Sequence, residues 1–265
     1  MTHSHDDHFD GDFRSDMHRI LSRRRLLTLG AAGLAMAPGG AMAQALTCIA
    51  APAETGGPFP ADGSATRGGG SLNVLDQAGI VRSDLRPSFA GLDGVADGQA
   101  MDLTLTLQDV DTGCAPVSGF AVYAWHCDAA GRYSLYEVED RNYLRGMQVS
   151  DEEGRLTFRS ILPGTYRGRW PHIHFEVFRS VQEAASGARP HLTGQLAFAE
   201  DLVRARYDGD PRYADSIPNL DGITLARDGI FRDSTPAELA AQTVTATRDD
   251  ADLLAVEASI GLTAL

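Results

Sequence analysis

Two histidines one residue apart, His172 and His174, close the densest run of chemically capable side chains in the sequence, Pro163 to Phe175. On a strand, side chains alternate, so both imidazoles project from one face with Cα atoms about 7 Å apart. Neutral imidazoles at that spacing can grip a single metal ion. Ile173, Phe175 and Val177 alternate onto the opposite face, toward a core. The plain alternative is a pair of histidines that merely pack, and taken alone the H-x-H pattern slightly favours it. Pro171 immediately before the pair, with Tyr166 and Arg169 upstream, makes the segment more elaborate than packing requires.

Three further clusters lie outside that run. Ala124 to Ser134 leaves a strand at Trp125-His126-Cys127, turns through Asp128-Ala129-Ala130-Gly131 and delivers the phenol of Tyr133 directly afterwards. Glu54-Thr55-Gly56-Gly57-Pro58-Phe59 sits in an irregular stretch, and Leu192 to Phe198 carries Gln195 at a position that faces a cavity or solvent. Each is unremarkable as packing; together they need a shared explanation.

The elements that must hold these groups are short strands between Gly- and Pro-rich turns. Leu103, Leu105 and Leu107 alternate with polar residues over Met101–Gln108, a half-buried strand. Phe120–Cys127, Arg155–Ile161, His172–Arg179 and His191–Ala199 read as the next four, and Thr224–Phe231 as a final hairpin around Arg227-Asp228-Gly229. The tail Ser234–Ala255, rich in Ala and acids and opened by Thr235-Pro236, reads as a helix on the outside. The expected fold is all-β: a β-sandwich core over residues 101–233, an irregular N-terminal arm over 44–100, and a 234–265 tail with a short helix.

Residues 1–43 read as an address. Ser22-Arg23-Arg24-Arg25 precedes a short Gly- and Ala-rich apolar run that ends at Ala41-Met42-Ala43, the parts of a cleaved export signal. The paired arginines resemble the twin-arginine type, which implies a partner in the twin-arginine export machinery and a periplasmic or extracellular address. The apolar run is too short for a comfortable membrane span. The formal charge of −13 argues against nucleic-acid binding, and the chain has no lysine, which excludes Schiff-base and P-loop lysine chemistry. Beyond the signal remain His126, His172, His174 and His191, and three cysteines, Cys48, Cys114 and Cys127. Cys114 sits in the turn before the Phe120–Cys127 strand and Cys127 at its far end, too far apart to bridge, so any disulfide should use Cys48, with Cys114 favoured.

The series W-H-C-D-A-x-G-x-Y-S, P-G-x-Y, G-R-x-P-H-I-H-F and T-x-Q-L-x-F, running from about Glu54 to Phe231, resembles the intradiol ring-cleavage dioxygenases, and among them the exported protocatechuate 3,4-dioxygenase β-subunit-like branch. The resemblance implies a non-haem Fe(III) held by Tyr133, Tyr166, His172 and His174. It implies a catalytic Arg169, a Gln195 beside the substrate ring, and a pocket lined by Thr55, Gly57, Pro58 and Trp125. Tyr166 takes the part of the tyrosinate that leaves iron to act as a local base. The implied reaction opens a catechol-type ring between its two hydroxyls with O₂, giving a muconate-type diacid, and the family's habit implies a homo-oligomer. Phe59 stands where many relatives carry Tyr.

Two other classes compete. A secreted transthyretin- or immunoglobulin-like binding module would share the sandwich and carry a structural metal or none. A zinc or cupin-like enzyme built on His172 and His174 lacks a third histidine or carboxylate ligand and leaves both tyrosines unexplained.

Overall fold

The computed structural model describes residues 48–67, 70–250 and 252–265; the expected signal over 1–43 lies outside them. Alternation in β3 (Ala100–Asp109) buries Met101, Leu103, Leu105 and Leu107 and leaves the intervening residues half-buried. One sheet forms around that strand. β11 (Leu254–Leu262) lies parallel to β3 on one edge and carries β10 (Thr245–Asp249) beyond it, while β7 (Arg155–Ile161) and the two-residue β4 (Ala115–Pro116) share the other edge. The second sheet is antiparallel throughout, in the order β6 (Arg145–Val149), β5 (Ala121–Trp125), β8 (His172–Phe178), β9 (Leu192–Ala197).

The two sheets pack face to face through Leu103, Leu105, Phe158, Val122, Ala124, Ile173, Phe175 and Val177. Every residue of β5 and β8 is buried, because the second sheet is covered on its outer face as well. There the arm folds back with the hairpin β1 (Asp62–Arg67) and β2 (Gly70–Asn73), and Phe59, Val74, Leu75 and Ile80 pack on Tyr123, Trp125 and Met147. His172 and His174 alternate with Ile173 and Phe175, so they enter this second layer, between sheet and arm. The all-β class therefore holds, with few and short helices: α1 (Val181–Ala185), α2 (Glu200–Tyr207), α3 (Ile217–Asp221) and α4 (Pro236–Gln242).

Two expectations fail. Thr224–Phe231 is not a hairpin but two single 3₁₀ turns, Leu225–Arg227 and Phe231–Asp233. The Asp228 carboxylate between them accepts from the backbone N–H groups of Ile230 (2.8 Å) and Phe231 (3.3 Å), satisfying locally donors that a strand would have sent to a neighbour. The tail helix is confined to α4, started by a capping box between Thr235 and Glu238. Beyond it the tail enters the sheet: β11 buries Leu254, Val256 and Ile260 and pairs with β3 over nine residues. Strand β6 and the β1–β2 hairpin were not foreseen. Cys48 and Cys114 form the favoured disulfide, with Cα atoms 5.6 Å apart, and Cys127 is free and buried.

Candidate metal centre

The turn after β5 is built by one side chain. Asp128 accepts from the backbone N–H groups of Ala130 (3.0 Å) and Arg132 (2.9 Å) and from the Tyr143 hydroxyl (3.1 Å). Gly131 makes the turn possible at φ +84°, and a Cβ there would stand 2.4 Å from the carbonyl oxygen of Thr165. The loops carrying Tyr133 and Tyr166 thus touch through backbone. Tyr133 follows, fully buried, its N–H held by Glu137 (2.6 Å) and its ring 4.7 Å from that of Phe59. Tyr166 is half-buried in a loop bounded by Gly168 at φ +81°, where Arg169 N–H donates to the Tyr166 carbonyl (3.1 Å).

Four expected donors meet. His172 Nε2 and His174 Nε2 face each other at 3.0 Å, and the Tyr133 hydroxyl is 3.4 Å from His172 Nε2. The Tyr166 ring stands 5.7 Å from Tyr133 and 5.8 Å from His172 between centroids. With no cation present, one Nε2 can donate its hydrogen to the other; a cation held between them would instead take a lone pair from each. Burial pushes both imidazoles well below their ordinary pKa, with Arg169 adding to it at each, and for His174 the neighbouring His172 as well. They stand as neutral bases. Burial holds the Tyr133 phenol well above its usual value and raises Tyr166 to about 12 against the pull of Arg169. A phenolate here needs a strong cation beside it. Two phenolate oxygens and two imidazole nitrogens suit a hard trivalent iron, so the residues fit that group. Among the described residues no three of His, Cys, Asp and Glu form a competing metal cluster. The Cys127 thiol points instead at the Gly164 carbonyl (3.4 Å).

Beside the donors runs a chain of charge and hydrogen bonds. The Arg169 guanidinium donates through Nε to Asp228 (2.9 Å), through Nη2 to Gln195 Oε1 (2.6 Å) and through Nη1 to the Tyr166 hydroxyl (3.4 Å). Gln195 in turn donates to the carbonyl of Thr55 in the arm (2.8 Å). Burial alone would weaken the arginine's hold on its proton, but Asp228 outweighs it and the guanidinium stays charged. Gly57, at φ +68°, lets the arm approach His174: a Cβ there would lie 3.3 Å from the ring. Pro58 follows it, half-buried.

Trp125 departs from its expected position. Its indole is fully buried behind His174, stacked on that ring at 4.9 Å and 5° with Tyr123 on its far side, so it fixes the imidazole plane rather than walling a pocket. The sequence reading missed Asp228, because an Asp-Gly pair reads first as a turn. It also missed Glu176, two residues beyond His174 on the same face of β8, buried, and raised to about 8 by burial and by nearby Asp62. His126 is a satisfied core residue, its nitrogens engaged by the Cys127 carbonyl (2.8 Å) and the Ser160 hydroxyl (2.7 Å). His191 bonds the Thr263 carbonyl, remote from the site.

A family model described as Dioxygenase matches residues 92–207, a stretch that contains all four donors, Arg169 and Gln195 but neither Thr55 nor Asp228. A catechol 1,2-dioxygenase of a Pseudomonas species is 27% identical over 200 residues, covering 67% of this chain and 60% of that protein. A protocatechuate 3,4-dioxygenase β chain of Burkholderia cepacia is 37% identical over 126 residues, covering 42% of this chain and 52% of that one. The chain thus spans about half to three-fifths of the length of these relatives. Among solved structures, an intradiol ring-cleavage dioxygenase from Tetranychus urticae aligns with a TM-score of 0.61 at 23% identity, over 82% of this chain and 95% of that one, a likeness of fold.

Proposed function

From the likeness to a catechol 1,2-dioxygenase and a protocatechuate 3,4-dioxygenase β chain, we propose that the chain is an intradiol ring-cleavage dioxygenase that opens catechol-type rings between the two hydroxyls with O₂, using iron(III) held by Tyr133, Tyr166, His172 and His174. The observation that carries this is the convergence of two imidazole nitrogens at 3.0 Å with a phenol oxygen 3.4 Å away, beside a buried arginine. Bound iron(III) would supply Lewis acidity, drawing electron density from a chelated catecholate so that its ring becomes reactive toward O₂.

The remaining work falls to this chain's own groups. Tyr166, the more exposed phenol with glycine beside it, takes a proton at Oη from an incoming substrate hydroxyl. Tyr133, locked by Phe59 and Glu137, stays in place. Arg169 presents a fixed positive charge beside the Tyr166 hydroxyl, where it stabilises negative charge developing on the ring, a role worth roughly 3 kcal/mol in other preorganised sites. Gln195, anchored to Thr55, orients the ring, and the arm excludes water.

Export belongs to the same proposal. The Cys48–Cys114 disulfide suits an oxidising compartment, in keeping with the Arg23-Arg24 signal. The test of function is metal analysis with a visible spectrum, since tyrosinate–iron(III) charge transfer is coloured, followed by O₂ uptake with a panel of catechols. Iron-loaded, coloured protein that consumes O₂ is expected; iron-loaded protein inert toward every catechol would overturn the activity.

A further inference from the structure

Among the described residues, three buried side-chain polar atoms make no hydrogen bond: Trp125 Nε1, His174 Nδ1 and Glu176 Oε2. They belong to one place. Trp125 and His174 are cross-strand partners on β5 and β8 with stacked rings, and Glu176 is the next residue on that face of β8. Glu176 Oε1 and Trp125 Cζ2 border the same point of the arm, 3.9 and 3.8 Å from where a Cβ on Gly56 would lie. Glu176 is 3% exposed; its other oxygen has a long contact to the Thr193 hydroxyl, 3.4 Å, and the Asp62 carboxyl of the arm lies beside it.

The chemistry of the three atoms is complementary. An indole N–H can only donate. If His174 Nε2 faces a metal, its hydrogen sits on Nδ1, which is then a second donor. A carboxyl supplies the acceptor in either protonation state, since even the neutral acid keeps its carbonyl oxygen. The two histidines also differ here: His172 Nδ1 already has the Trp170 carbonyl at 2.5 Å, whereas His174 has no such partner. Ligating histidines ordinarily direct their second nitrogen to an acceptor that fixes tautomer and ring orientation.

We propose that Glu176 is a positioning residue for the metal centre, accepting from His174 Nδ1–H through one bridging water and so holding that imidazole's Nε2 toward the metal. This rests on the iron site proposed above. A carboxyl with an unbonded oxygen, buried beside aromatic rings and the Asp62 carboxyl, costs the metal-free fold stability, and a hydrogen bond toward His174 would recover part of that cost.

The test is Glu176→Leu, with Glu176→Met as a second apolar variant and Glu176→Gln as the variant that keeps an acceptor oxygen. Iron affinity, measured by competition with a chelator, should fall about 10–100-fold in the two apolar variants and return in Glu176→Gln. The thermal midpoint of the iron-free protein should be unchanged or higher in Leu and Met. A residue that merely supported the fold would lower stability and metal binding together. Wild-type iron affinity and an unshifted charge-transfer band in Glu176→Leu or Glu176→Met would overturn the inference. Wild-type protein that binds no iron would overturn the site itself, a separate outcome.

Discussion

Arg169 and Asp228 form a buried ion pair, Nε to Oδ2 at 2.9 Å, with side chains 4% and 0% exposed. The same carboxylate oxygen accepts from the Trp170 N–H at 2.6 Å, so one group fixes both the guanidinium and the backbone leading into His172. Asp228→Asn should leave a buried charge uncompensated, costing about 3–5 kcal/mol of stability. It should also lower catechol turnover on the order of 100-fold through the misplaced guanidinium, while iron content stays near normal. Urea unfolding and O₂ uptake check both halves; wild-type turnover would show that Arg169 does not depend on this partner.

The two tyrosines should separate by experiment. Tyr166→Phe should retain iron but turn over slowly, since the base at Oη is gone. Tyr133→Phe should bind iron weakly and shift the visible band, since its phenolate sits in a rigid, fully buried setting. Iron content and O₂ uptake on both variants decide, and a fully active Tyr133→Phe with normal iron would end the four-donor assignment.

The Cys48–Cys114 bond closes a loop of sequence separation 66, and crosslinks of that span stabilise by about 4 kcal/mol in the chain-entropy account. Cys48 also begins the arm that reaches Thr55 and Gly57 over the site. Cys48→Ser with Cys114→Ser should therefore lower the urea midpoint and raise KM for catechol more than it lowers kcat. An unchanged KM would mean that Gln195 and the Glu54–Thr193 backbone bond hold the arm without help.

His126 should make stability fall in mild acid. Burial depresses its folded-state pKa from 6.5 to about 4, so below pH 6.5 the unfolded chain takes up the proton first. Stability is therefore lost as pH falls from about 6.5 toward 4, at up to about 1.4 kcal/mol per unit. In iron-loaded protein, His126→Asn should flatten the dependence by that slope over that window. Equal slopes in chemical denaturation across the series would refute it.

Export is tested by replacing Arg23 and Arg24 with Lys. The precursor should then stay in the cytoplasm, because the twin-arginine route distinguishes the two cations. Unaltered export would show the paired arginines are incidental.

The sandwich and its donors were legible because strand alternation and ligand type both live in short windows. Leu103, Leu105 and Leu107 announce β3 unaided, and His172 with His174 declare a shared face. What escaped depends on distant partners. β11 is recognisable only from its parallel place beside β3, since Ala255, Ala258 and Gly261 blur its alternation. Asp228 acts on Arg169, 59 positions earlier, from a dipeptide that any turn would accept. Glu176 went unremarked, because nothing local says that an arm covers the outer face of its sheet.

The pairing of Met101 with Leu254 and of Asp109 with Leu262 has a kinetic consequence. These partners are separated by more than half the sequence, so the sheet that backs the one carrying His172 and His174 closes only after a very long excursion of chain, which slows folding. Until β11 arrives, one edge of β3, with its row of buried leucines, lies open as a template for any passing strand. Losses on refolding should thus rise with protein concentration and originate at this edge, whether or not iron is present.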